Sequence, residues 1–279
     1  MYRRAFKRVM AIHDLSGLGR SSLMAAIPIL SVMGVQVCPV PTAVLSTQTS
    51  GFKDYTFADL TETMPDYLQH WKKLGMDFDG IYSGFLGSTK QVDIMLDVLT
   101  HFHNQDTLAI IDPVMGEDGL LYDTMDSSFV EQMSRLVKKA DIVTPNVTEL
   151  NLLAGCPANE INDVQMLKEK LVQVSQSGPQ TVIVTGVELP DTSRCIFSYT
   201  RQTGEYLQIP YKHLPINYPG TGDIFASVLT GSLIQGQTLE TGIKLAADFI
   251  SSAVADAMAS EEPIRDGVFL ETNLHRLIK

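Results

Sequence analysis

The sequence predicts a three-layer αβα sandwich with a mostly parallel central sheet, and three observations support this fold class. Short apolar runs rich in β-branched residues alternate with segments of helical period along the chain. The runs are apolar on both faces, as expected for parallel strands that are covered by helices on both sides. The chain has 279 residues, 44% of them hydrophobic and 19% charged, which is enough for a large core. We therefore expect a single domain over residues 1–279.

Each element of this fold is predicted from the period of its apolar residues. The predicted strands of the main sheet are Val9–Ile12, Val35–Leu45, Gly80–Ser83, Leu108–Ile111, Asp141–Thr144 and Thr181–Thr185. The predicted helices are Ser21–Met33, Phe57–Lys73, Thr89–His103, Ser127–Lys139, Val164–Ser177, Thr221–Gln235 and Leu239–Met258. Two further strand-like segments, Arg194–Tyr199 and Tyr206–Tyr211, predict an antiparallel hairpin at one edge of the sheet.

Charge and cysteine usage argue against several classes of protein. The formal net charge is −11 and no run of Lys or Arg exceeds two residues, so we expect no nucleic-acid partner. Cys38, Cys156 and Cys195 contain no C-x-x-C pair, which favours reduced thiols over a disulfide framework or a zinc site. The most apolar region, residues 25–40, contains two prolines and predicts a buried helix and strand. We therefore expect a cytoplasmic protein with no membrane partner.

The segment Gly220-Thr221-Gly222-Asp223 precedes an apolar helical stretch and is typical of an anion site. The glycines allow a tight turn that points backbone N–H groups at an anion, and the helix dipole adds to the attraction. Asp223 can then accept the proton of an alcohol that attacks a phosphate. Taken alone, however, this segment is also compatible with an ordinary glycine-rich turn.

The motif Thr144-Pro145-Asn146-Val147-Thr148-Glu149 follows a predicted strand and opens a helix. Asn146 and Glu149 are three residues apart, so they share a helix face and can hold a hydrated Mg²⁺ ion. The same two residues also predict a capping box, with Asn146 as N-cap and Glu149 reaching back to it. The sequence leaves both interpretations open.

Two other strand ends carry residues suited to phosphate and metal. Asp112 ends one predicted strand, and Glu117 follows in the same loop, so the pair suits a cation beside phosphate oxygens. Thr185 and Gly186 end another strand with a hydroxyl group and a permissive backbone. Because the carboxyl ends of parallel strands meet at one edge of the sheet, we expect these residues to converge on one pocket.

In this order, these segments resemble the ribokinase-like superfamily and, within it, the pyridoxal kinase group that phosphorylates vitamin B6. The likeness begins at Ala11-Ile12-His13-Asp14 and continues through residues 46–52 and 83–88, so it covers nearly the whole chain. It implies a ribokinase-like kinase domain that transfers phosphate from ATP to the 5′-hydroxymethyl group of pyridoxal, pyridoxamine or pyridoxine. It also implies Mg²⁺, a monovalent cation such as K⁺, and a homodimer.

The resemblance further implies a role for each candidate residue. Those implied in catalysis are the base Asp223 and the anion-hole residues Gly220 and Gly222. Those implied to contact the nucleotide are Thr144, Asn146, Thr185, Gly186 and Thr221. Those implied to hold Mg²⁺, mostly through water, are Asp112, Asn146, Glu149 and Glu117. Those implied to contact the substrate ring are Asp14, Thr47, Phe85 and His13.

Three positions depart from the pattern of the B6 kinases. Asp14, Phe85 and Glu117 stand where many of those enzymes carry Ser, Tyr and Asp. Two alternatives therefore stay open beside the B6 kinase. One is a hydroxymethylpyrimidine (phosphate) kinase of thiamine synthesis, which shares the chemistry. The other is a non-catalytic regulator that binds a nucleotide or vitamer, although the intact Asp223 disfavours it.

Overall fold

A nine-stranded sheet carries helices on both faces in the computed structural model, which describes residues 5–161 and 163–278. The strands, including a separate hairpin formed by β6 and β7, are β1 (Lys7–Ser16), β2 (Val35–Leu45), β3 (Phe57–Asp59), β4 (Gly80–Ser83), β5 (Leu108–Ile111), β6 (Gly116–Glu117), β7 (Leu120–Leu121), β8 (Ile142–Val143), β9 (Thr181–Glu188), β10 (Arg194–Thr200) and β11 (Glu205–Tyr211). The helices are α1 (Ser22–Val32), α2 (Met64–Lys73), α3 (Thr89–Phe102), α4 (Ser127–Val137), α5 (Val147–Leu153), α6 (Val164–Ser177), α7 (Thr221–Ile234) and α8 (Leu239–Met258), followed by short 3₁₀ helices at Ile264–Asp266 and Leu274–Leu277.

The central strands of the sheet are parallel, and both of its edges are antiparallel. The strand order is β11-β10-β9-β8-β5-β4-β1-β2-β3. Strands β2, β1, β4, β5, β8 and β9 run parallel to their neighbours in that central block. Strands β10 and β11 add the expected antiparallel hairpin at one edge, and β3 pairs antiparallel with β2 at the other. The carboxyl ends of six strands therefore lie along one edge of the sheet.

The helices form two layers because alternate residues of each central strand bury an apolar side chain on opposite faces. Met10 and Ile12 of β1 join a core cluster that includes residues of α2, α3, α4, α5 and α6. Val9 and Ala11 of the same strand pack against α1 and α7 on the other face. The predicted three-layer fold is confirmed. Within the described ranges, no helix is both long enough and apolar enough to cross a membrane.

The segment predicted as one helix over Phe57–Lys73 contains a strand and a shorter helix instead. Residues 57–59 form β3, and α2 begins only at Met64. Pro65 accounts for the start of the helix, because proline is tolerated in the first turn but not in a helix interior. Asp59 accepts hydrogen bonds from the backbone N–H and the hydroxyl group of Thr61, which turns the chain between the two elements. The helix prediction was therefore wrong for residues 57–63.

Strand β9 extends beyond its predicted end at Thr185 and continues to Glu188. Its pairing with β10 is irregular, since Thr185 and Gly186 together face a single residue of β10. Gly186 has φ +71°, a left-handed conformation that favours glycine and is typical of such a bulge. An isolated bridge joins Thr185 to Asn146. The bulge thus keeps Thr185 and Gly186 beside the start of α5, although the strand does not end there.

Candidate active site

Two aspartates lie on either side of the imidazole ring of His13, in the last part of β1. The His13 Nδ1 atom is 2.8 Å from Oδ1 of Asp14, and its Nε2 atom is 2.9 Å from Oδ1 of Asp223 in α7. Burial by itself lowers the pKa of His13, but the charges of Asp223 and Asp14 and their hydrogen bonds outweigh it and raise that pKa to about 10. With this pKa His13 is an imidazolium at neutral pH, so both of its ring nitrogens carry a proton and each faces an aspartate oxygen. The backbone nitrogen of Asp14 also lies 3.0 Å from Nδ1.

Asp223 lies in the first turn of α7, as predicted, and both of its carboxylate oxygens accept hydrogen bonds. Oδ1 accepts from His13, and Oδ2 accepts from the backbone N–H of Ser22 at 2.7 Å. The side chain keeps 15% of its surface exposed, so it is neither sealed in the core nor free in solvent. A carboxylate held in this way can accept a proton from a group that approaches the start of α7.

The turn that precedes α7 has the tight backbone predicted for it. Gly220 has φ +84°, and a Cβ atom at this position would lie 2.4 Å from the backbone oxygen of Arg20. Both the conformation and the packing thus require glycine. A Cβ atom at Gly222 would meet no atom within 4 Å, so the space beside this residue is open. The first N–H groups of α7, including that of Thr221, have no acceptor within the helix and are available to an anion.

Asn146 and Glu149 form a capping box at the start of α5. Asn146 Oδ1 accepts from the N–H of Glu149, and Glu149 Oε2 accepts from the N–H of Asn146, each at 2.9 Å. Glu149 Oε1 also accepts from the N–H of Met115, and Asn146 Nδ2 donates to the carbonyl oxygen of Gly116. The cap interpretation is confirmed, and the same bonds fasten the loop after β5 to α5. Because each carboxylate oxygen has further lone pairs, a role in metal binding stays a prediction.

Two buried carboxyl groups within this site have raised pKa values. Burial and the nearby charge of Asp223 raise the pKa of Asp112 to about 7, even though Thr144 Oγ1 donates a hydrogen bond to it at 3.1 Å. Burial and the charge of Asp112 likewise raise the pKa of Glu149 well above its usual value. Buried carboxylates of this kind favour a nearby cation, which offsets their desolvation and mutual repulsion. Among the described residues, no three His, Cys, Asp or Glu side chains form a direct metal cage.

Tyr122, just after β7, lies near these acids although 40% of its surface is exposed. Burial of the rest of the side chain raises the pKa of its phenol, and the charges of Glu117, Glu149, Asp223 and Asp112 raise it further. Carboxylates from three separate segments of the chain therefore act on a single hydroxyl group, which indicates that these segments converge. No sequence signal marked Tyr122, because only its position just after β7 brings it near those acids.

The remaining predicted residues lie at the same edge of the sheet. Phe85 is half-buried, and its backbone nitrogen lies 3.4 Å from Nε2 of His13. The hydroxyl oxygen of Thr47 is buried and has no hydrogen-bond partner among the described residues. Thr185 donates its N–H to the carbonyl oxygen of Pro145 at 3.1 Å. Glu117 lies on β6, where partial burial and the charge of Asp118 raise its pKa.

The chain is similar to proteins of one kinase family. A model of the phosphomethylpyrimidine kinase family matches residues 21–265. A Bacteroides thetaiotaomicron protein, provisionally named a phosphomethylpyrimidine kinase and solved with pyridoxal, is 44% identical, with a TM-score of 0.94 over 98% of this chain and 96% of that one. Pyridoxal kinase from Lactobacillus plantarum is 30% identical, with a TM-score of 0.90 over 98% and 97% of the two chains.

A third relative is the chloroplastic thiamine biosynthetic bifunctional enzyme TH1 of Arabidopsis thaliana. It is 28% identical over 246 residues, which cover 86% of this chain and 44% of TH1, so this chain spans less than half of that enzyme. The family match covers most of the chain, and the structural matches cover almost all of it. On this evidence the chain belongs to the phosphomethylpyrimidine kinase family of the ribokinase-like superfamily and is an ATP-dependent kinase.

Proposed function

We propose that this kinase transfers the γ-phosphate of ATP to the 5′-hydroxymethyl group of pyridoxal, pyridoxamine or pyridoxine. The observation that carries the proposal is the position of Asp223, a partly exposed carboxylate in the first turn of a helix whose start is an open glycine turn. The 44% identical relative solved with pyridoxal supports a B6 vitamer as the alcohol. The pyridoxal kinase of L. plantarum supports the same substrate.

In this mechanism the phosphates lie against the turn at Gly220 and Gly222 and receive hydrogen bonds from the N–H groups that begin α7, including that of Thr221. The hydroxymethyl oxygen attacks the γ-phosphate in line and Asp223 accepts its proton, while the bond from the γ-phosphorus to the bridging oxygen breaks and ADP leaves. The chain contributes alignment and fixed dipoles rather than a covalent intermediate. Thr144, Thr185 and Gly186 lie at neighbouring strand ends, where they suit the nucleotide phosphates or a monovalent cation such as K⁺.

The residues present fit a Mg²⁺ ion that is held largely through water and phosphate oxygens. Asp112 and Glu149 are buried carboxyl groups with raised pKa values, a state that a cation would relieve. Asn146 and Glu117 complete the proposed set. When bound, Mg²⁺ would neutralise charge that develops on the phosphate. Both carboxylate oxygens of Glu149 already accept hydrogen bonds from backbone N–H groups. A contact between Glu149 and Mg²⁺ through a water molecule is therefore favoured over a direct one.

The substrate ring is proposed to lie between the loop that carries Thr47 and the segment that carries Phe85. The Thr47 hydroxyl group offers a buried, unpaired hydrogen-bonding atom among the described residues, and Phe85 offers a half-buried aromatic face. Asp14 and His13 border the same pocket from β1. A single domain, a homodimer and a cytoplasmic location also stay predictions.

The second candidate is phosphorylation of hydroxymethylpyrimidine or its phosphate. The name of the family model and the similarity to TH1 favour it. A coupled assay of ADP release with pyridoxal, pyridoxamine, pyridoxine and hydroxymethylpyrimidine separates the two candidates. We expect turnover with at least one vitamer. Turnover on hydroxymethylpyrimidine alone would overturn the B6 proposal, and ADP release with none of the alcohols would favour a non-catalytic regulator.

A further inference from the structure

We propose that His13 is a positioning residue for the proposed base Asp223, which it holds in one orientation, and that it is not a substrate contact. The inference rests on the proposed phosphoryl transfer, and it assigns to His13 a task different from the ring binding that the sequence suggested. Its basis is a chain of hydrogen bonds that runs through the site. Within that chain, both nitrogens of the His13 ring face carboxylates of the protein itself.

The chain of hydrogen bonds fixes each member in turn. The Ser16 hydroxyl group donates to Oδ2 of Asp14 at 2.8 Å, and Asp14 accepts from Nδ1 of His13. His13 donates from Nε2 to Asp223, which also accepts from the N–H of Ser22. Since a protonated imidazole has two N–H groups and both are used, none is left for a substrate. Asp14 therefore orients His13, and His13 with Ser22 orients Asp223.

A glycine makes room for the histidine ring. A Cβ atom at Gly84 would lie 2.0 Å from Cδ2 and 2.1 Å from Nε2 of His13, a distance that no packed structure tolerates. The edge of the Tyr82 ring faces the same imidazole, with ring centroids 6.4 Å apart. His13 is only 2% exposed. The backbone of β4 and the segment after it thus hold the imidazole against Asp223, and even one added methyl group at Gly84 would push it away.

The charge of His13 matters because its surroundings are acidic. The charges of Asp14 on its own strand and Asp223 on α7 act on it, and its own charge acts on Asp112 after β5. Tyr82 on β4 faces it with its ring. Neither Lys nor Arg forms an ion pair with Asp223 in the part of the chain that the structure describes. An anionic nucleotide would add to the negative potential. A fixed imidazolium places a positive charge beside Asp223 and so offsets part of this negative potential.

The test compares His13→Leu and His13→Gln with His103→Gln. Gln can place an amide donor near the Nε2 position without a charge, whereas Leu removes the donor and the charge. His103 is a matched control, because its Nε2 atom lies 2.9 Å from Oδ2 of Asp141, in a pair near the amino ends of β5 and β8. We measure kcat and KM for ATP and the active vitamer from about pH 6 to about pH 9. Circular dichroism shows which variants are folded.

We expect His13→Leu to lower kcat about 100-fold with KM for both substrates within about threefold, the pattern of a lost transition-state interaction. We also expect His13→Gln to recover part of kcat, because its amide can donate to Asp223. His103→Gln should behave like the wild type. An unchanged kcat, or a loss confined to KM for the vitamer, would overturn the inference and return His13 to ring binding.

Two further measurements keep the inference testable if a variant misfolds or if the wild type shows no turnover. Gly84→Ala should displace the ring and reproduce the kcat loss, whereas Gly87→Ala, where a Cβ atom meets nothing closer than 3.6 Å, should not. Long-range ¹H–¹⁵N NMR of the wild type should show both His13 nitrogens protonated at about pH 8. A neutral His13 at that pH would overturn the inference, even if inactivity had already overturned the proposed kinase reaction.

Discussion

The backbone N–H of Ser22 donates to Oδ2 of Asp223 at 2.7 Å, although the two residues are 201 positions apart. This bond joins the first turns of α1 and α7, which pack side by side on one face of the sheet. Ser22 has φ +54°, a left-handed conformation that is costly for a residue other than glycine. The orientation of one carboxylate therefore depends on the starts of two helices and on the end of β1.

Asp223→Asn should remove the proton acceptor while keeping most of the packing. We expect kcat to fall by about 10² to 10⁴-fold, with nucleotide affinity within a few-fold of the wild type. Steady-state kinetics and calorimetric titration with ADP measure the two effects. Asp248→Asn, at an exposed position on α8, is the control and should be neutral. Retained turnover in Asp223→Asn would remove Asp223 from its proposed role.

Gly220→Ala should destabilise the turn before α7, because an added Cβ atom would collide with the backbone oxygen of Arg20 in an already left-handed conformation. We expect a loss of about 1–3 kcal/mol in the free energy of unfolding, measured with urea. Gly222→Ala is the comparison for stability, because its Cβ atom meets open space. Equal stability of Gly220→Ala and the wild type would contradict this account of the turn.

Glu149→Gln tests the capping role of this residue and its proposed role in Mg²⁺ binding separately. Gln keeps only one of the two acceptor oxygens, so one backbone N–H group loses its partner, which should cost about 1 kcal/mol in the free energy of unfolding. If Glu149 also supports Mg²⁺, the Mg²⁺ concentration for half-maximal activity should rise about 10-fold or more. Asp163→Ala removes the N-cap side chain of α6, away from this site, and should affect stability alone. An unchanged Mg²⁺ requirement in Glu149→Gln would leave the residue only its capping role.

Asp112 should make the response to Mg²⁺ depend on pH. Its pKa is about 7 when folded and about 3.8 otherwise, so the unliganded protein loses stability as pH rises from about 4 to about 7. Above pH 7 the carboxylate is charged and attracts a cation. We therefore expect Mg²⁺ with ADP to raise the melting temperature more at about pH 8 than at about pH 6. Asp112→Asn should abolish that difference, and an equal shift at both pH values in the wild type would refute it.

His13 should also make the folded protein less stable as pH rises, in this case because a cation is lost rather than because an anion forms. Its pKa rises from 6.5 to about 10 on folding, so its stabilising effect is complete below pH 6.5 and is lost as pH rises towards about 10. We expect the free energy of unfolding of the wild type to decline over this range. The decline should be smaller in His13→Gln. Parallel curves for the two proteins would show that the imidazolium is not held by Asp14 and Asp223.

The sequence determined the fold class and the main chemistry of the chain. Apolar runs with β-branched residues located the central strands, since burial on both faces leaves a local pattern. The turn at Gly220 could also be predicted, because a left-handed backbone before a helix favours glycine whatever its surroundings. Asp112, Asn146, Glu149 and Asp223 could be selected as candidates because each stands at a strand end or a helix start.

Other features depended on contacts between distant segments, which no local pattern encodes. The strand at Phe57–Asp59 forms because β2 offers it an edge to pair with, and its own residues do not reveal this. The role of Tyr122 depends on acids from three other parts of the chain. Likewise, His13 looked like a neighbour of the substrate. Only the packing of β1 against α7, over the gap left by Gly84, placed its charge between two aspartates.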